Sequence, residues 1–451
     1  MEHVTSWLLG ARIDVELVLG LFLAVCVTVH ALLRKRDVAS AAGWIGLSWF
    51  APFFGSGLYF LMGINRVQRR AQHHRPRRRR QFRAPTASWD RNGDGRIDEA
   101  DLVEPAMAPL QLGVGRITAR PLVPGNTIEI YADGDEAYPP MLAAIAAATQ
   151  SVGLSSYIFR NDEWGGRFIE ALRAATERGV AVRVLIDGVG GGYFLGAAYH
   201  RLRRAGVVSA RFLHSVLPWR MPFVNLRSHK KILVVDGVIG FTGGMNIADE
   251  NVMATRPTQP VQDTHFRFEG PIVGQLVEDF LQDWAFATEE MLDGPAWFAE
   301  ELDLGNGFAA RAVDAGPDKE TEKVEFTILQ AIACAQTSIE VMTPYFLPDD
   351  RLITALSLAA MRGVGVDIVI PERSDHRFVD WATRPNIGPL LQDGARVWLS
   401  PPPFRHSKLM VVDGAWCLIG SSNWDMRSFR LNFELCVECY DPALGRALSE
   451  K

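Results

Sequence analysis

The chain repeats itself, and this internal repeat constrains the fold more than any other feature of the sequence. Tyr157-Ile-Phe, a helix pattern ending at Arg178 and a β-branched run are matched in the same order from Tyr345 onward. The match continues in two His-x-Lys-x4-Asp-Gly motifs beginning at His229 and His406, each followed by a small-small-x-Asn element. The period of about 180 residues is far longer than that of solenoid repeats. It predicts two copies of one α/β domain on a single chain, packed with pseudo-twofold symmetry.

Changes in composition along the chain suggest the domain boundaries. Residues 1–65 are mostly apolar and predict a membrane anchor, whereas residues 66–121 form a basic linker. From about residue 122, short β-branched runs such as Val182–Ile186 alternate with helical patterns such as Leu352–Met361, which is typical of α/β domains. We therefore predict a first catalytic domain over residues 122–300 and a second over residues 301–451. A hydrophobic content of 48% with 22% charged residues favours folded domains over disorder.

Two apolar segments near the N-terminus are long enough to predict transmembrane helices. Val15–Leu33 and Ala41–Gly63 are each close to the ~20 residues that a membrane span requires. Pro52, Gly55 and Gly57 interrupt the second segment, and they would also permit a kink or a re-entrant hairpin. We predict two spans, and hence a multi-pass membrane protein.

A strongly basic stretch without acidic residues follows the second apolar segment. Beside a membrane span, it predicts that the catalytic domains lie in the cytoplasm, by the positive-inside rule. It also fits contact with anionic headgroups, although a solvated tail without lipid specificity is an equal alternative. Nucleic-acid binding is not expected, because Phe82 is the one aromatic residue interleaved with the charges. The arginines are Arg66, Arg69, Arg70, Arg75, Arg77, Arg78, Arg79, Arg80 and Arg83.

The next segment has the spacing of a calcium-binding loop. Side-chain oxygens fall at loop positions 1, 3, 5, 9 and 12, and Gly95 occupies position 6. The spacing resembles EF-hand loops and, more closely, dockerin-type loops, which end in Asp. An Asp/Gly-rich linker is the alternative, because no clear helix precedes the loop and the closing Glu is absent. The prediction is a structural Ca²⁺ held by Asp90, Asn92, Asp94, Arg96 (position 7, normally a backbone ligand), Asp98 and Asp101.

The duplicated motif supplies the residue types that phosphoryl transfer needs. In a strand, residues i and i+2 share a face, so His229 should project with Lys231, and His406 with Lys408. One neutral imidazole can attack phosphorus while the other, protonated, donates to the leaving oxygen. The lysines would stabilise the charge on the phosphate oxygens. This chemistry requires no metal, so no catalytic cofactor is predicted.

Further polar residues accompany each motif. Asn246 and Asn423 are expected to hold phosphate oxygens together with the lysines. Asp236 and Asp413 complete the motifs and are candidate catalytic residues, although a role in tying down a turn is the favoured interpretation. An attacking histidine also needs an orienting carboxylate. The candidates for that role are Asp263 and Glu434, which are equivalently placed downstream, with ordinary salt bridging as the alternative.

These motifs resemble those of the phospholipase D superfamily, and specifically those of bacterial cardiolipin synthases. The similarity covers nearly all of the chain except residues 66–121. It implies transfer of a phosphatidyl group from one phosphatidylglycerol to another, which gives cardiolipin and glycerol through a phosphohistidine. It further implies that His229 is the nucleophile and His406 the acid, in an enzyme of the bacterial inner membrane. The matching elements include Pro124-Gly125-Asn126, Arg227-Ser228-His229, Pro344-Tyr345-Phe346, Asn423-Trp424-Asp425 and Asn432-Phe433-Glu434.

Alternative functions are compatible with the same motifs. Water could replace the acceptor alcohol, so a phospholipase D-type hydrolase is the main alternative. A superfamily nuclease is disfavoured by the membrane segments, and a non-catalytic scaffold by the two intact motifs. Gln262 stands where the family usually has Arg, so one phosphate or headgroup contact is expected to be missing. Leu217–Phe223, which precedes the first motif, predicts a lip that enters the bilayer, or else a core-packing loop.

Overall fold

A computed structural model describes most of the chain, and it divides into two compact units. The first unit comprises residues 1–70 and 215–225, and the second comprises residues 71–214 and 226–451. The described residues are 2–35, 38–64, 99–192, 196–214, 226–299, 307–317 and 322–451.

The first unit is helical, and among its described residues a single helix is long and apolar enough to cross a membrane. That segment is Val15–Arg34 within helix α1 (Glu2–Arg34). The predicted second span is instead broken into α2 (Val38–Phe50) and α3 (Pro52–Leu58). A helix of 13 residues is about 20 Å long, well short of the ~30 Å hydrocarbon core. The prediction of two complete spans is therefore not supported, because Pro52 starts a new helix within the apolar run.

The second apolar segment folds back on itself and packs against α1. A side chain at Gly55 would lie 2.5 Å from the carbonyl oxygen of Leu47, so the close approach of α3 to α2 requires glycine. A π-helical turn, Tyr59–Gly63, follows α3, and the Tyr59 hydroxyl lies 2.7 Å from Nδ1 of His30. This arrangement corresponds to the kink or hairpin that the sequence also permitted.

The second unit is built on one mixed sheet, to which most of its strands belong. Two additional two-stranded sheets accompany it, one formed by Phe346–Leu347 with Trp424–Asp425 and the other by Val261–Gln262 with Phe404–Arg405. The strands are β1 (Val123–Tyr131), β2 (Ser151–Ser156), β3 (Ala181–Asp187), β4 (Ser209–Phe212), β5 (Arg227–Ser228), β6 (Ile232–Val235), β7 (Ile239–Gly243), β8 (Val261–Gln262), β9 (His265–Glu269), β10 (Phe308–Ala315), β11 (Ser338–Met342), β12 (Phe346–Leu347), β13 (Gly365–Pro371), β14 (Arg396–Ser400), β15 (Phe404–Arg405), β16 (Leu409–Val412), β17 (Trp416–Gly420), β18 (Trp424–Asp425) and β19 (Asn432–Tyr440).

The two halves of the main sheet have corresponding strand orders when each half is followed from its outer edge to the centre. The order is β14-β13-β11-β16-β17-β19-β10-β1-β9-β7-β6-β2-β3-β4, with β5 attached to β19. Matching from the edges inward pairs strands from equivalent places in the two sequence repeats, such as β13 with β3 and β16 with β6. At the centre, β1 and β10 are antiparallel, with Val123 opposite Ala310. The two repeats thus share one continuous sheet.

Helices cover the sheet, and each repeat has its own hydrophobic core. Helix α4 (Ala108–Thr118) lies within the segment that the sequence assigned to the basic linker. Its residues Leu110 and Val114, with Met107 just before it, are buried in the core of the second repeat, so the linker is shorter than predicted. The helices are α4 (Ala108–Thr118), α5 (Gly134–Ala147), α6 (Glu163–Glu177), α7 (Ala197–Arg204), α8 (Ile272–Thr288), α9 (Lys323–Cys334), α10 (Asp350–Met361), α11 (Arg377–Gln392), α12 (Met426–Arg430) and α13 (Pro442–Ser449).

Candidate active site

The first motif histidine is held by the second repeat. Strand β5, which leads into His229, pairs in parallel with the start of β19. The His229 amide donates to the carbonyl of Phe433 at 2.9 Å. This pairing brings His229 Nδ1 to 3.0 Å from Glu434 Oε2 and 2.9 Å from the carbonyl oxygen of Ser421. The carboxylate beside the first histidine therefore comes from the other half of the sequence.

The second motif histidine has the reciprocal arrangement. Strand β15 leads into His406 and pairs in parallel with β8, and the His406 amide donates to the carbonyl of Gln262 at 2.7 Å. His406 Nδ1 lies 2.7 Å from Asp263 Oδ2. The two repeats thus exchange carboxylates. The sequence identified both carboxylates but did not indicate that each serves the histidine of the opposite half.

The two imidazoles face each other in one buried pocket. Their ring centroids lie 6.5 Å apart and their planes are nearly perpendicular. The oxygens beside both Nδ1 atoms are carbonyl or carboxylate groups, which only accept hydrogen bonds. Nδ1 of His229 therefore carries the proton of the neutral ring and donates it, which leaves the Nε2 lone pair of His229 for chemistry with a substrate. Nδ1 of His406 lies 2.7 Å from Asp263 Oδ2 and also 2.7 Å from Lys408 Nζ.

The electrostatics of the pocket keep both rings neutral and both carboxylates charged at neutral pH. Burial lowers the pKa of His229, and it lowers the pKa of His406 to about 4. Burial acts to raise the pKa of Asp263 and of Glu434, but nearby lysine and histidine groups lower it by more. Each imidazole accordingly has a fixed anion behind it, which would stabilise the imidazolium form once a reaction creates it.

The two motif lysines line the same pocket, although they do not lie in strands as the sequence argument assumed. Lys231 sits in the connection between β5 and β6, and its Nζ donates to the carbonyl of His229 at 2.6 Å. Lys408 likewise donates to the carbonyl of His406. Lys230, which lies between His229 and Lys231, pairs instead with Asp283 at 3.0 Å. This alternation of side chains indicates that the backbone is nevertheless extended.

The lysines are unusually easy to deprotonate. Burial, followed by repulsion from Lys408, lowers the pKa of Lys231 to about 7. Burial lowers the pKa of Lys408 to about 8. Two buried ammonium groups in one pocket destabilise each other, and a bound anion would relieve that cost. The pocket is therefore suited to a phosphate group.

Supporting residues beside the carboxylates were not assigned roles from the sequence. Ser421 Oγ donates to Glu434 at 2.5 Å, and Asn432 Nδ2 donates to its other oxygen at 3.0 Å. Gly244, the counterpart of Ser421 in the first repeat, leaves room for Asp263, since a Cβ there would lie 2.3 Å from Oδ1. The small-small pair after each motif is thus explained by the carboxylate that packs against it.

The two asparagines that were expected to bind phosphate differ in their surroundings. The side-chain oxygen of Asn246 accepts the Ile158 amide at 3.1 Å, which is a structural role. Asn423 is buried, and its Oδ1 has no hydrogen-bond partner in the described part of the chain. A phosphate-binding role is therefore better supported for Asn423 than for Asn246.

Aromatic rings enclose the histidine pocket. Tyr157 packs edge-on against His229, with ring centroids 5.0 Å apart. Tyr345, the equivalent residue of the second repeat, lies 6.1 Å from His406, and Phe404 lies 5.8 Å from it. The repeated Tyr was visible in the sequence as a matched position, but nothing there placed it against the imidazoles.

The aspartates that complete the motifs lie at the far ends of their strands from the histidines. Asp236 has a φ of 52° and accepts the backbone amides of Thr149, Gln150 and Ser151. Asp413, with a φ of 51°, is bonded in the same way before β11. Their oxygens are engaged by the backbone, so these two candidate catalytic residues are corrected to turn-stabilising residues.

We expect Asp236→Ala to lower the free energy of unfolding by about 2–3 kcal/mol, because the variant loses a carboxylate that accepts several backbone amides at a positive-φ turn. A lower thermal unfolding midpoint of the purified protein would report this loss. Turnover per folded molecule should stay within about threefold of wild type, as in the exposed control Asp293→Ala. A stably folded Asp236→Ala protein without turnover would contradict the structural role.

Several sequence predictions lie outside the described residues. They include the basic arginines, the lip Leu217–Phe223 and the calcium-loop residues from Asp90 to Asp98. Of the six proposed ligands, Asp101 is described, and it lies exposed on the 3₁₀ turn Glu99–Leu102. Calcium binding at this loop stays a prediction.

The fold and the pocket together define a phospholipase D-type enzyme, with two α/β halves that each contribute one His-x-Lys motif. A family model described as "Cardiolipin synthase, PLD-like domain" matches residues 141–284 and 328–451, which is more than half of the chain. The chain therefore belongs to the cardiolipin synthase family, and it is a phosphatidyl-transferring enzyme of phospholipid biosynthesis.

Curated relatives support this assignment over most of the chain. Cardiolipin synthase of Oceanobacillus iheyensis is 31% identical over 99% of this chain and 92% of its own length. Cardiolipin synthase of Geobacillus kaustophilus is 33% identical over 90% of this chain and 81% of its own length. A solved structure of phosphatidylserine synthase from Haemophilus influenzae matches with a TM-score of 0.58 at 14% identity, covering 75% of this chain and 88% of that one. The last likeness shows the shared fold.

Proposed function

We propose that the protein joins two phosphatidylglycerol molecules into cardiolipin and releases glycerol, with a phosphohistidine as the intermediate. The observation that carries this proposal is the pair of opposed imidazoles, each with its Nδ1 within 3.0 Å of a carboxylate of the other half. Two equivalent nitrogens on either side of one phosphate position suit a double displacement at phosphorus. The two lysines beside them supply the positive charge that a phosphodiester requires.

The first half-reaction uses the two histidines in opposite roles. The Nε2 lone pair of His229 attacks phosphorus, and the bond from phosphorus to the glycerol headgroup oxygen breaks. His406, protonated at Nε2, gives its proton to that oxygen, so glycerol leaves neutral. Burial lowers the pKa of His406 to about 4 before substrate binds. The incoming phosphodiester anion favours the imidazolium and so raises this pKa.

The second half-reaction reverses these steps with a different alcohol. His406, now neutral, takes the proton from a headgroup hydroxyl of the second phosphatidylglycerol. The oxygen of that hydroxyl attacks phosphorus, and the bond from phosphorus to His229 Nε2 breaks. Lys231, Lys408 and Asn423 would hold the equatorial phosphate oxygens through both steps. Both half-reactions use the same pair of histidines. This accords with a pseudo-twofold relation between the repeats, which the strand order also favours.

A membrane setting is part of the proposal. Helix α1 supplies one segment that could span a bilayer, and the basic stretch after the first unit favours a cytoplasmic location for the catalytic unit. The folded-back segment α2–α3 would then lie in one leaflet or complete a second crossing. The substrates would reach the pocket from the cytoplasmic leaflet of a bacterial inner membrane.

Lipid analysis of a purified reaction tests the proposed function. The full chain is reconstituted in vesicles of phosphatidylglycerol, and the products are identified by mass spectrometry. We expect cardiolipin and glycerol in equal amounts. Phosphatidic acid as the main product would instead indicate the hydrolase, and an unchanged lipid composition would overturn both activities.

A further inference from the structure

An exposed aromatic cluster lies on the second repeat, outside the histidine pocket. Phe378 and Trp381 on α11 are 79% and 60% exposed, and their rings pack edge to face with centroids 5.6 Å apart. Their spacing of three residues places them on one side of the helix. Leu399 on the neighbouring β14 is 61% exposed. Single exposed aliphatic residues are ordinary, but paired exposed aromatic rings indicate an interaction surface.

This cluster is connected to the catalytic pocket through ring contacts. Tyr345 lies beside His406 and stacks on His376 with a centroid distance of 6.3 Å. His376 directly precedes α11, so Phe378 follows in the first turn of the helix. From the other direction, Leu399 is followed within five residues by Phe404, whose ring packs on His406. The aromatic cluster therefore lies within a few residues, along the chain, of rings that pack on His406 or on Tyr345.

The charges on α11 favour an anionic partner. Arg377 and Arg384 are exposed and share a side of the helix with Trp381, at spacings of four and three residues. The acidic residue of the helix, Asp380, is partly buried, and its carboxylate accepts the amide of Ser374 at 3.2 Å. We call the set Arg377, Phe378, Trp381, Arg384 and Leu399 the rim surface.

We infer that the rim surface is a membrane-contact surface, which seats the catalytic unit on an anionic phospholipid bilayer and supports the acyl chains of a lipid whose phosphate lies beside His406. This inference rests on the proposed function. Both histidines are buried, whereas lipid phosphates stay at the bilayer surface. The protein must therefore bring its pocket down to the headgroups. Tryptophan and arginine are the residues that favour this depth in a membrane.

The position of the rim surface beside the histidine pocket favours a bilayer over a protein as its partner. Aromatic residues and arginine are also enriched at protein interfaces, so the composition alone does not choose. A lipid held by its phosphate between the histidines must carry its acyl chains out of the pocket over an apolar surface. The rim surface offers such a path next to His406, whereas a bound protein there would obstruct it.

The test compares one substrate chemistry in two physical forms. The full chain with Phe378→Ser and Trp381→Ser is assayed on long-chain phosphatidylglycerol in vesicles, and on dihexanoyl phosphatidylglycerol dispersed as monomers. We expect kcat/KM on vesicles to fall about tenfold or more, and kcat/KM on monomers to stay within about twofold. The matched control is Leu358→Ser with Met361→Ser on α10, where two residues 52% and 63% exposed lie outside the rim surface. It should leave both values unchanged.

A second readout is independent of turnover. With Cys26 and Cys334 replaced by Ala, an environment-sensitive nitrobenzoxadiazole label is attached through Phe378→Cys or, as control, through Leu358→Cys. We expect a blue shift in phosphatidylglycerol vesicles at position 378 and none at position 358. Equal losses on vesicles and monomers, or a label at 378 that stays in water, would overturn the inference. If the wild type makes no cardiolipin but the label at 378 shifts, the proposed function fails and the membrane contact stands.

Discussion

The His229→Ala and His406→Ala variants should each lose cardiolipin formation by about 10⁴-fold or more, while both proteins still insert into membranes. The first variant lacks the nucleophile, so no phosphohistidine forms. The second retains the nucleophile, but glycerol would have to leave as an unprotonated alkoxide. The measurement is cardiolipin produced per molecule of enzyme reconstituted in phosphatidylglycerol vesicles. His200→Ala, an exposed histidine on α7, is the matched control and should keep full activity.

An activated substrate separates the two histidine roles. Bis(p-nitrophenyl) phosphate has a leaving group that departs without a proton, so the acid is no longer needed for the first step. We expect His406→Ala to release a burst of nitrophenolate close to one equivalent and to accumulate a phosphorylated protein. His229→Ala should give no burst. The opposite pattern would exchange the roles of nucleophile and acid, and full activity of either variant on phosphatidylglycerol would contradict the mechanism.

The elements that the sequence predicted well are those whose side-chain pattern follows from burial. The run Val182–Ile186 predicted β3, which spans Ala181–Asp187, because β-branched and apolar residues predominate in it apart from Arg183. The helical pattern over Leu352–Met361 likewise lies within α10. The prediction of a second complete membrane span is not supported by the described residues, because the helix breaks at Pro52. Average hydrophobicity over Ala41–Gly63 is insensitive to Pro52, which lacks the amide a continuous helix would need there.

The composition of the active site was predictable, but its connectivity was not. The duplicated motif identified both histidines and both lysines as members of one site. The exchange of Asp263 and Glu434 between the halves depends on β5 and β8, strands of two residues each. Such short strands have no periodicity to detect, and the symmetry of the motifs fits equally well with each half keeping its own carboxylate. The turn role of Asp236 was foreseeable, because a motif aspartate directly before Gly is typical of tight turns.

The exchanged carboxylates lead to a second large expected effect. Glu434→Gln and Asp263→Asn should each lower kcat by about 10²–10⁴-fold with little change in KM, because the amides keep the shape but remove the charge behind an imidazole. Removing Glu434 also removes an interaction that raises the pKa of His229. The pKa of His229 already lies below 6.5, so the acid limb of kcat/KM should lie below pH 6.5 in the wild type. In Glu434→Gln the limb should move to still lower pH.

The pH profile distinguishes an electrostatic role from a merely structural one. A phosphodiester substrate does not titrate near neutral pH, so the limbs of kcat/KM report the protein groups. Loss of the protons of Lys231 and Lys408, whose pKa values are about 7 and 8, should add a fall at alkaline pH to the one caused by deprotonation of the acid His406. Glu438→Gln is the matched control, because Glu438 is a buried carboxylate of the same strand, paired with Arg311 at 2.8 Å. It should lower stability and leave both limbs in place. A Glu434→Gln profile with lower rates but an unmoved acid limb would mean that Glu434 positions His229 without tuning its charge.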